Sequence, residues 1–522
     1  MKLWNRHGIK LYGPIMMLRT SRGRAFIERL GSHARGWSHY GLASVVICAL
    51  TTTVVAAFLI WEVFTTFSAP SQMDLSNDLP FGQTGINPAV TVTYAVIGIG
   101  VAVVAHELCH GVLSSVGNIK LRSIGLMLLV IPIGAFVEPD EDALKATKRT
   151  NRLKVYAAGP ATNVILAIVF LAILLGLLMP SVRPIADGAV VTSVAPDSPA
   201  ETSGIRVWSD ITELNGEKVN TTSFRSTWFS NPGELVSINL TYKQQTQIIA
   251  LPGGVVISSV TDGPALNAGI RPGMMVTSLN DTVIHSVEQF ESVVEASTHD
   301  APVNITVLKL GHDTTGGVSW FVQDPSIRSV NLTTKWLYYR LHFPNQNKEE
   351  YRNISFMGVS SSPLGISVED PDTILKPVAH PFSATGDIDA AMRDSLRYLG
   401  LPFFGYAPIM SPEADLFEPS GVLSPLPTNV FWTVSNLCYW IFWMNLMFAL
   451  TNAIPAVPMD GGMVMSDLIK GLARRLGERL SGFDLLVGKK PISDVQVDRF
   501  MIALTAVFGV LVAYLVLWQL LL

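Results

Sequence analysis

The sequence predicts a polytopic α-helical membrane protein, with about five spans plus a re-entrant segment and an extracytoplasmic α/β insert between the third and fourth spans. Three observations point there. Only 15% of the 522 residues are charged and 49% are hydrophobic, against about 25% charged in an average globular chain. The apolar residues are gathered into blocks rather than spread. One long interval, 181–426, interrupts the blocks with short strand-like runs and turn signals. Charge is too scarce for disorder. A net charge of −4 leaves no polybasic signature, so nucleic acid is not an expected partner. Cys48, Cys109 and Cys438 lie too far apart for a CxxC metal site or a disulfide framework.

Taken in order, a basic cytoplasmic N-terminal segment, 1–40, precedes a first membrane span at 41–67, whose residues 41–61 hold no charge. No cleavage pattern is read ahead of that span, which is expected to anchor the chain. The core 86–180 follows. Its residues 86–105 are uncharged and run straight into His106, and 155–180 are uncharged again. Both are long enough for the roughly 20 apolar residues that a span needs. Between them the apolar stretch 123–137 has only fifteen residues. It is too short to cross and reads as a re-entrant or interfacial segment. After the insert come a second core part, 427–470, a cytoplasmic loop, 471–499, and a last span, 500–522.

Orientation follows the cations. Lys2, Arg6, Lys10, Arg19, Arg22, Arg24, Arg29 and Arg35 precede the first span, and the loop 68–85 has no Lys or Arg. Cations return in 138–154 and 463–499. The positive-inside rule then puts the N-terminus in the cytoplasm and the insert outside, in a multi-pass protein of the cell membrane. Six N-x-[ST] triplets, at Asn220, Asn239, Asn280, Asn304, Asn331 and Asn353, all fall in the expected outside region.

The insert contains a repeat. Residues 188–251 open GAVVTSVAPDSPAETSGI and continue ITELNGEKV; residues 254–310 open GVVISSVTDGPALNAGI and continue MVTSLNDTVI. Each copy reads as a strand, a turn with Pro, a short helix, a Gly-Ile pair and a second strand closed by an Asn turn. The pattern resembles tandem PDZ domains of the kind attached to proteases. Ser209-Asp210 and Gly273-Met274 depart from the Gly-Asp usual there. Such a unit either takes up an extended peptide at a sheet edge or limits access by its size, and both readings stay open. Residues 311–426 form an extracytoplasmic region without a legible fold. His33, His39, His285, His299 and His312 have no ligand spacing and read as surface residues.

The chemistry is concentrated in His106-Glu107-Leu108-Cys109-His110. Residues four apart share a helix face, so both histidines reach one zinc ion, with Glu107 beside them to take a proton from water. Zinc brings the pKa of a water it holds to about 7. Ionisable residues in a span are costly and usually functional. Two histidines do not complete a catalytic zinc site, which has three protein ligands. The third is sought at the same depth. His106 falls about 27 Å into its span at about 1.5 Å per residue, near the cytoplasmic end. Asp460 closes the uncharged run 419–459 at the cytoplasmic end of another span, in Asn452-Ala-Ile-Pro455-Ala-Val-Pro458-Met-Asp460-Gly-Gly. Pro455 and Pro458 break the helix there and let backbone lie beside the site. Cys109 lies partly on the histidine face but reads as a small packing residue.

These motifs together resemble the site-2 protease family of intramembrane zinc metalloproteases. Gly134-Ala-Phe136-Val-Glu-Pro resembles that family's re-entrant segment, and Gly159-Pro-Ala-Thr-Asn163 the opening of its next core span. The resemblance is strong over 86–180 and 427–470; Met459 replaces the usual Leu. It implies zinc on His106, His110 and Asp460, with Glu107 as general base. It implies substrate-backbone or oxyanion contacts at Asn452, Gly134 and Phe136, and supporting roles for Asn163 and Pro455. The expected substrates are membrane-spanning proteins within the lipid bilayer, cleaved in regulated proteolysis or in clearance of signal-peptide remnants. PDZ-like units add possible peptide ligands. The alternative is a non-catalytic PDZ-bearing membrane scaffold, whose function would survive loss of His106 and His110. A zinc transporter would need polar residues spread over several spans, which are few here.

Overall fold

A computed structural model describes residues 9–12, 15–20, 23–68, 88–128, 132–298, 302–313, 319–342, 348–382, 395, 398–404, 409–481 and 493–521. The chain divides into two compact units, one of 1–73, 87–177 and 434–522, the other of 74–86 and 178–433.

The first unit runs β1 (Ile9–Tyr12), β2 (Ile15–Thr20), α1 (Arg24–Gly31), α2 (Ala34–Ser68), α3 (Pro88–Val116), β3 (Leu121–Leu128), β4 (Pro132–Pro139), α4 (Glu141–Ala146) and α5 (Arg149–Ile173). After the insert come α6 (Thr428–Asn452), α7 (Asp460–Ser481) and α8 (Asp494–Leu521). Among the described residues five helices, α2, α3, α5, α6 and α8, are long and apolar enough to cross a membrane. Leu42, Val46, Leu50 and Val54, four residues apart on α2, are each more than half exposed. Such a stripe suits hydrocarbon surroundings. Local chemistry sets the ends: α3 begins at a proline, whose missing N–H is no loss in a first turn. The Asp140 side chain caps α4 by accepting the Ala143 N–H at 3.0 Å.

The stretch expected to re-enter the membrane, 123–137, is a β-hairpin. β3 and β4 pair antiparallel, and the N-terminal hairpin extends them into one sheet of order β1-β2-β3-β4. The segment 1–40, expected only as a basic cytoplasmic tail, thus supplies two strands, α1 and the first turns of α2, which begins at Ala34. Gly125 permits the close approach, because a Cβ there would lie 2.0 Å from the Leu18 carbonyl. Ile27 of α1 packs with Val112 and Leu121, tying the N-terminal segment to α3 and the sheet.

In the second unit the two sequence copies form two six-stranded sheets of equal connectivity. The first contains Ala189–Val194, Asp210–Leu214, Leu235–Tyr242 and Gln245–Pro252; the second contains Val255–Val260, Met275–Leu279, Val303–Asp313 and Ser319–Val330. The second copy therefore runs to 330, beyond the expected 310. Neither copy is complete within its expected bounds. Two strands joined by a tight turn, Val359–Pro363 and Ile366–Glu369, go to different sheets, the first to the second sheet and the second to the first. The turn, Leu364-Gly365, has positive φ at both residues. Part of the region without a legible fold, 311–426, is thus sheet. His285, expected on the surface, is half-buried: it stacks on Trp228 at 4.6 Å and bonds the Phe229 carbonyl at 2.8 Å, linking the copies.

Candidate metal centre

α3 places His106 and His110 one turn apart. The His106 Nε2 lies 3.1 Å from Asp460 Oδ2, and His110 Nε2 lies 3.2 Å from the same oxygen. The two imidazole nitrogens are 3.1 Å apart. One ligand atom from each of the three residues falls within 4.8 Å of the others, the one such His/Cys/Asp/Glu group among the described residues. His106 is 3% exposed. Its ring meets Phe448 of α6 edge-on at 5.1 Å, which limits its rotation.

Asp460 is brought there by the loop between α6 and α7. The loop folds back so tightly that a Cβ on Gly461 would stand 2.4 Å from the Ala453 carbonyl, and one on Gly462 2.4 Å from that of Ala456. Only glycine fits both places. The Val457 N–H donates to Thr505 Oγ1 at 2.9 Å and so fastens the loop to α8. Asp460 is the first residue of α7, where the helix dipole favours a carboxylate.

α5 closes the site from another side. The Val155 carbonyl lies 2.7 Å from His110 Nδ1. Nδ1–H donates to it, which leaves the Nε2 lone pair for a metal. One turn on, a Cβ at Gly159 would lie 2.4 Å from His110 Nε2 and 2.5 Å from His106 Nε2. The missing side chain keeps the space before the three donor atoms open. Two imidazoles and a carboxylate around such a gap are a zinc donor set, and the residues fit the metal.

Glu107 is held from the sheet. Its Oε2 accepts the Val137 N–H at 2.8 Å. That N–H points away from β3, so β4 presents the backbone of this parity on its unpaired edge beside α3. Gly134 and Phe136 have the opposite parity and pair with Met127 and Gly125. The Phe136 ring lies over Gly125 and 5.9 Å from the Arg19 guanidinium. Among the described residues, the backbone of Gly134 and Phe136 thus faces β3, and the outer edge of β4 carries Val137 and its parity.

The other expected residues sit close by in sequence and structure. Asn452 ends α6 and spends its Nδ2 on the Phe448 carbonyl at 2.9 Å. Pro455 is buried in the loop that carries Asp460. Asn163 is fully buried, one turn from Gly159, and its Nδ2 donates to the Ala102 carbonyl of α3 at 3.2 Å. Cys109 packs with Leu113, Ile119, Leu144, Val155 and Ala158, away from any ligand role. Sequence reasoning missed Arg152 and Asp467, which join α5 to α7 by two bonds of 2.5 and 2.7 Å. Their signal was one cation and one anion, each within a helix that already carried an expected site residue.

The first unit thus gathers two histidines and a carboxylate around one gap among helices apolar enough to cross a membrane. The profile of Peptidase family M50 matches residues 94–482, and the chain belongs to that family. An uncharacterized protein of Methanocaldococcus jannaschii is 30% identical over 160 residues, covering 30% of this chain and 42% of the relative. Proteins described as DegP-like periplasmic serine endoproteases also match. One from Pseudomonas putida is 37% identical over 76 residues, 15% of this chain and 16% of the relative. Another from Pseudomonas savastanoi is 39% identical over 71 residues, 14% and 15%. The chain thus spans less than half the length of each of these relatives.

Proposed function

We propose that this metalloprotease is an intramembrane zinc endopeptidase that hydrolyses peptide bonds in the transmembrane segments of other proteins. The observation that carries the reading is the convergence of Asp460 on His106 and His110, from helices that hydropathy assigns to or beside the membrane. His106, His110 and Asp460 would hold zinc. When bound, the metal polarises the scissile carbonyl and acidifies water. Glu107 takes the proton of the attacking water and passes it to the leaving amine nitrogen, so one carboxylate serves both halves of the reaction. The Val137 N–H holds that carboxylate in one orientation.

A helical substrate hides its peptide bonds in i to i+4 hydrogen bonds and has to unwind before attack. The free edge of β4 offers N–H and C=O groups to an unwound strand next to Glu107. Strand addition there replaces the hydrogen bonds lost on unwinding, which matters most where water is scarce. The N-terminus is cytoplasmic and the insert extracytoplasmic in this reading, on the Lys/Arg asymmetry. The insert's paired sheets are PDZ-like, supported by the sequence repeat and the DegP-like matches.

The test is Glu107→Gln, purified and assayed against a membrane-embedded substrate in lipid. Loss of cleavage with zinc retained is the expected result; undiminished cleavage would remove the mechanism. Proteomics of cells bearing Glu107→Ala identifies substrates as accumulated membrane stubs.

A further inference from the structure

Six of the eleven asparagines between 181 and 426 stand in N-x-[ST] triplets, and none of the ten elsewhere does. Serine and threonine make up 47 of the 246 residues in that interval. Composition alone would give about two such triplets among eleven asparagines. The excess is confined to the long interval expected on the far side of the membrane from the cytoplasm.

The structure sorts the six. Asn220, Asn280, Asn304, Asn331 and Asn353 are exposed, and Asn239 is half-buried. The atom that a sugar would be joined to is the carboxamide Nδ2. At Asn220 the Oδ1 accepts the Ser223 N–H at 2.9 Å, and at Asn280 the Oδ1 accepts the Asn304 N–H at 2.9 Å. In both, the oxygen fixes the carboxamide and the nitrogen is left unbonded among the described residues. Asn239 is the reverse. Its Nδ2 donates to Glu213 Oε2 at 3.2 Å from within a paired strand, and its Oδ1 is buried.

We propose that Asn220, Asn280, Asn304, Asn331 and Asn353 are acceptor sites for N-linked oligosaccharide, and that Asn239 in the folded insert is not. The inference rests on the orientation given under the proposed function, but not on the protease chemistry. The donor is a lipid-diphosphate-linked oligosaccharide, used by a separate transferase. The carboxamide nitrogen attacks the anomeric carbon and a C–N bond forms. The anomeric C–O bond to the diphosphate breaks, the nitrogen loses one proton, and the lipid diphosphate leaves. Each of the five side chains reaches solvent, so a sugar there displaces no core contact.

The test is glycopeptide mass spectrometry of the full chain isolated from the membranes of its own source cell. The expected result is a hexose-bearing mass addition on peptides holding the five exposed asparagines, with the Asn239 peptide bare. Thr222→Ala, Thr282→Ala and Thr333→Ala should each remove the addition from its own triplet alone. Six bare asparagines would overturn the proposal, and modification of Asn239 as full as that of the others would overturn the sorting by structure. Labelling of Asn331→Cys by a membrane-impermeant maleimide in intact cells separates the causes. A labelled cysteine with bare asparagines refutes the acceptor role itself, and an unlabelled one refutes the orientation beneath it.

Discussion

Gly159 faces His110 so closely that a methyl group on its Cα would stand 2.4 Å from Nε2, the nitrogen turned toward Asp460. Real Cβ contacts are essentially never shorter than 3.0 Å. The glycine therefore keeps the histidine rings in place and the gap before them empty.

Gly159→Ala is expected to fold and to lose zinc. The methyl has the choice of tilting His110 away from Asp460 or filling the metal's place, and either weakens binding by about tenfold or more. Zinc per chain, measured by mass spectrometry of the element after a chelator challenge, checks it. Wild-type retention of zinc would mean that Gly159 is spacing between helices only.

The bond from the Val137 N–H to Glu107 gives a second expectation. Val137→Pro removes that one donor. Because the N–H lies on the free edge of β4, no bond of the β3–β4 ladder is lost, and proline is tolerated at such an edge position. A hydrogen bond to a charged group contributes about 1.5–3 kcal/mol, so kcat should fall about 10- to 100-fold while zinc content stays whole. Unchanged kcat would show that Glu107 needs no hold from the sheet.

How far this centre was legible in the sequence depends on how its parts are encoded. His106, Glu107 and His110 lie within five positions of one helix, so helical spacing alone brings them together. Asp460 was legible from depth, because the bilayer supplies a coordinate that sequence distance does not. Gly461 and Gly462 were visible as residues, but their reason, the carbonyls of Ala453 and Ala456 at 2.4 Å from a Cβ, exists only in the folded loop. The sheet was not legible. Residues 123–137 are apolar throughout, without the alternation that marks a half-exposed strand, and their partner strand lies about a hundred residues earlier. The swap of 359–369 between the two sheets was hidden for a like reason. Its strands are short, and their partners lie in both copies of the repeat.

Arg152 and Asp467 carry a prediction about stability. Asp467 is 5% exposed and the pair is bidentate. Removing one partner of a buried pair leaves the other charge without compensation, which costs about 3–5 kcal/mol. Asp467→Asn and Arg152→Met should each lower the thermal midpoint in detergent clearly. The double variant Arg152→Met with Asp467→Leu should recover most of the loss, since two apolar side chains leave no buried charge. A double variant as weak as the sum of the singles would show that the two residues act apart.

The insert carries a pH dependence of its own. Asp210 is buried in the first sheet, and burial pushes its carboxyl up to about 6, although it accepts the Gly188 N–H at 3.1 Å. Its ordinary value in the unfolded chain is 3.8. Below that value the group is protonated in both states and folding meets no penalty from it. As pH rises from about 4 to about 6 the unfolded chain ionises first, so the folded state loses stability through that window and no further above it. The loss is on the order of 1–3 kcal/mol, for a shift of about two units at 1.36 kcal/mol each, reduced for the hydrogen bonds that remain. Asp210→Asn keeps the acceptor for Gly188 and cannot ionise. The wild-type protein should therefore be the less stable of the two at pH 7, and the gap should close by pH 4. Calorimetry of both proteins in the same detergent across that range measures it. A gap independent of pH would mean that Asp210 is stabilised as the anion by more than the Gly188 bond.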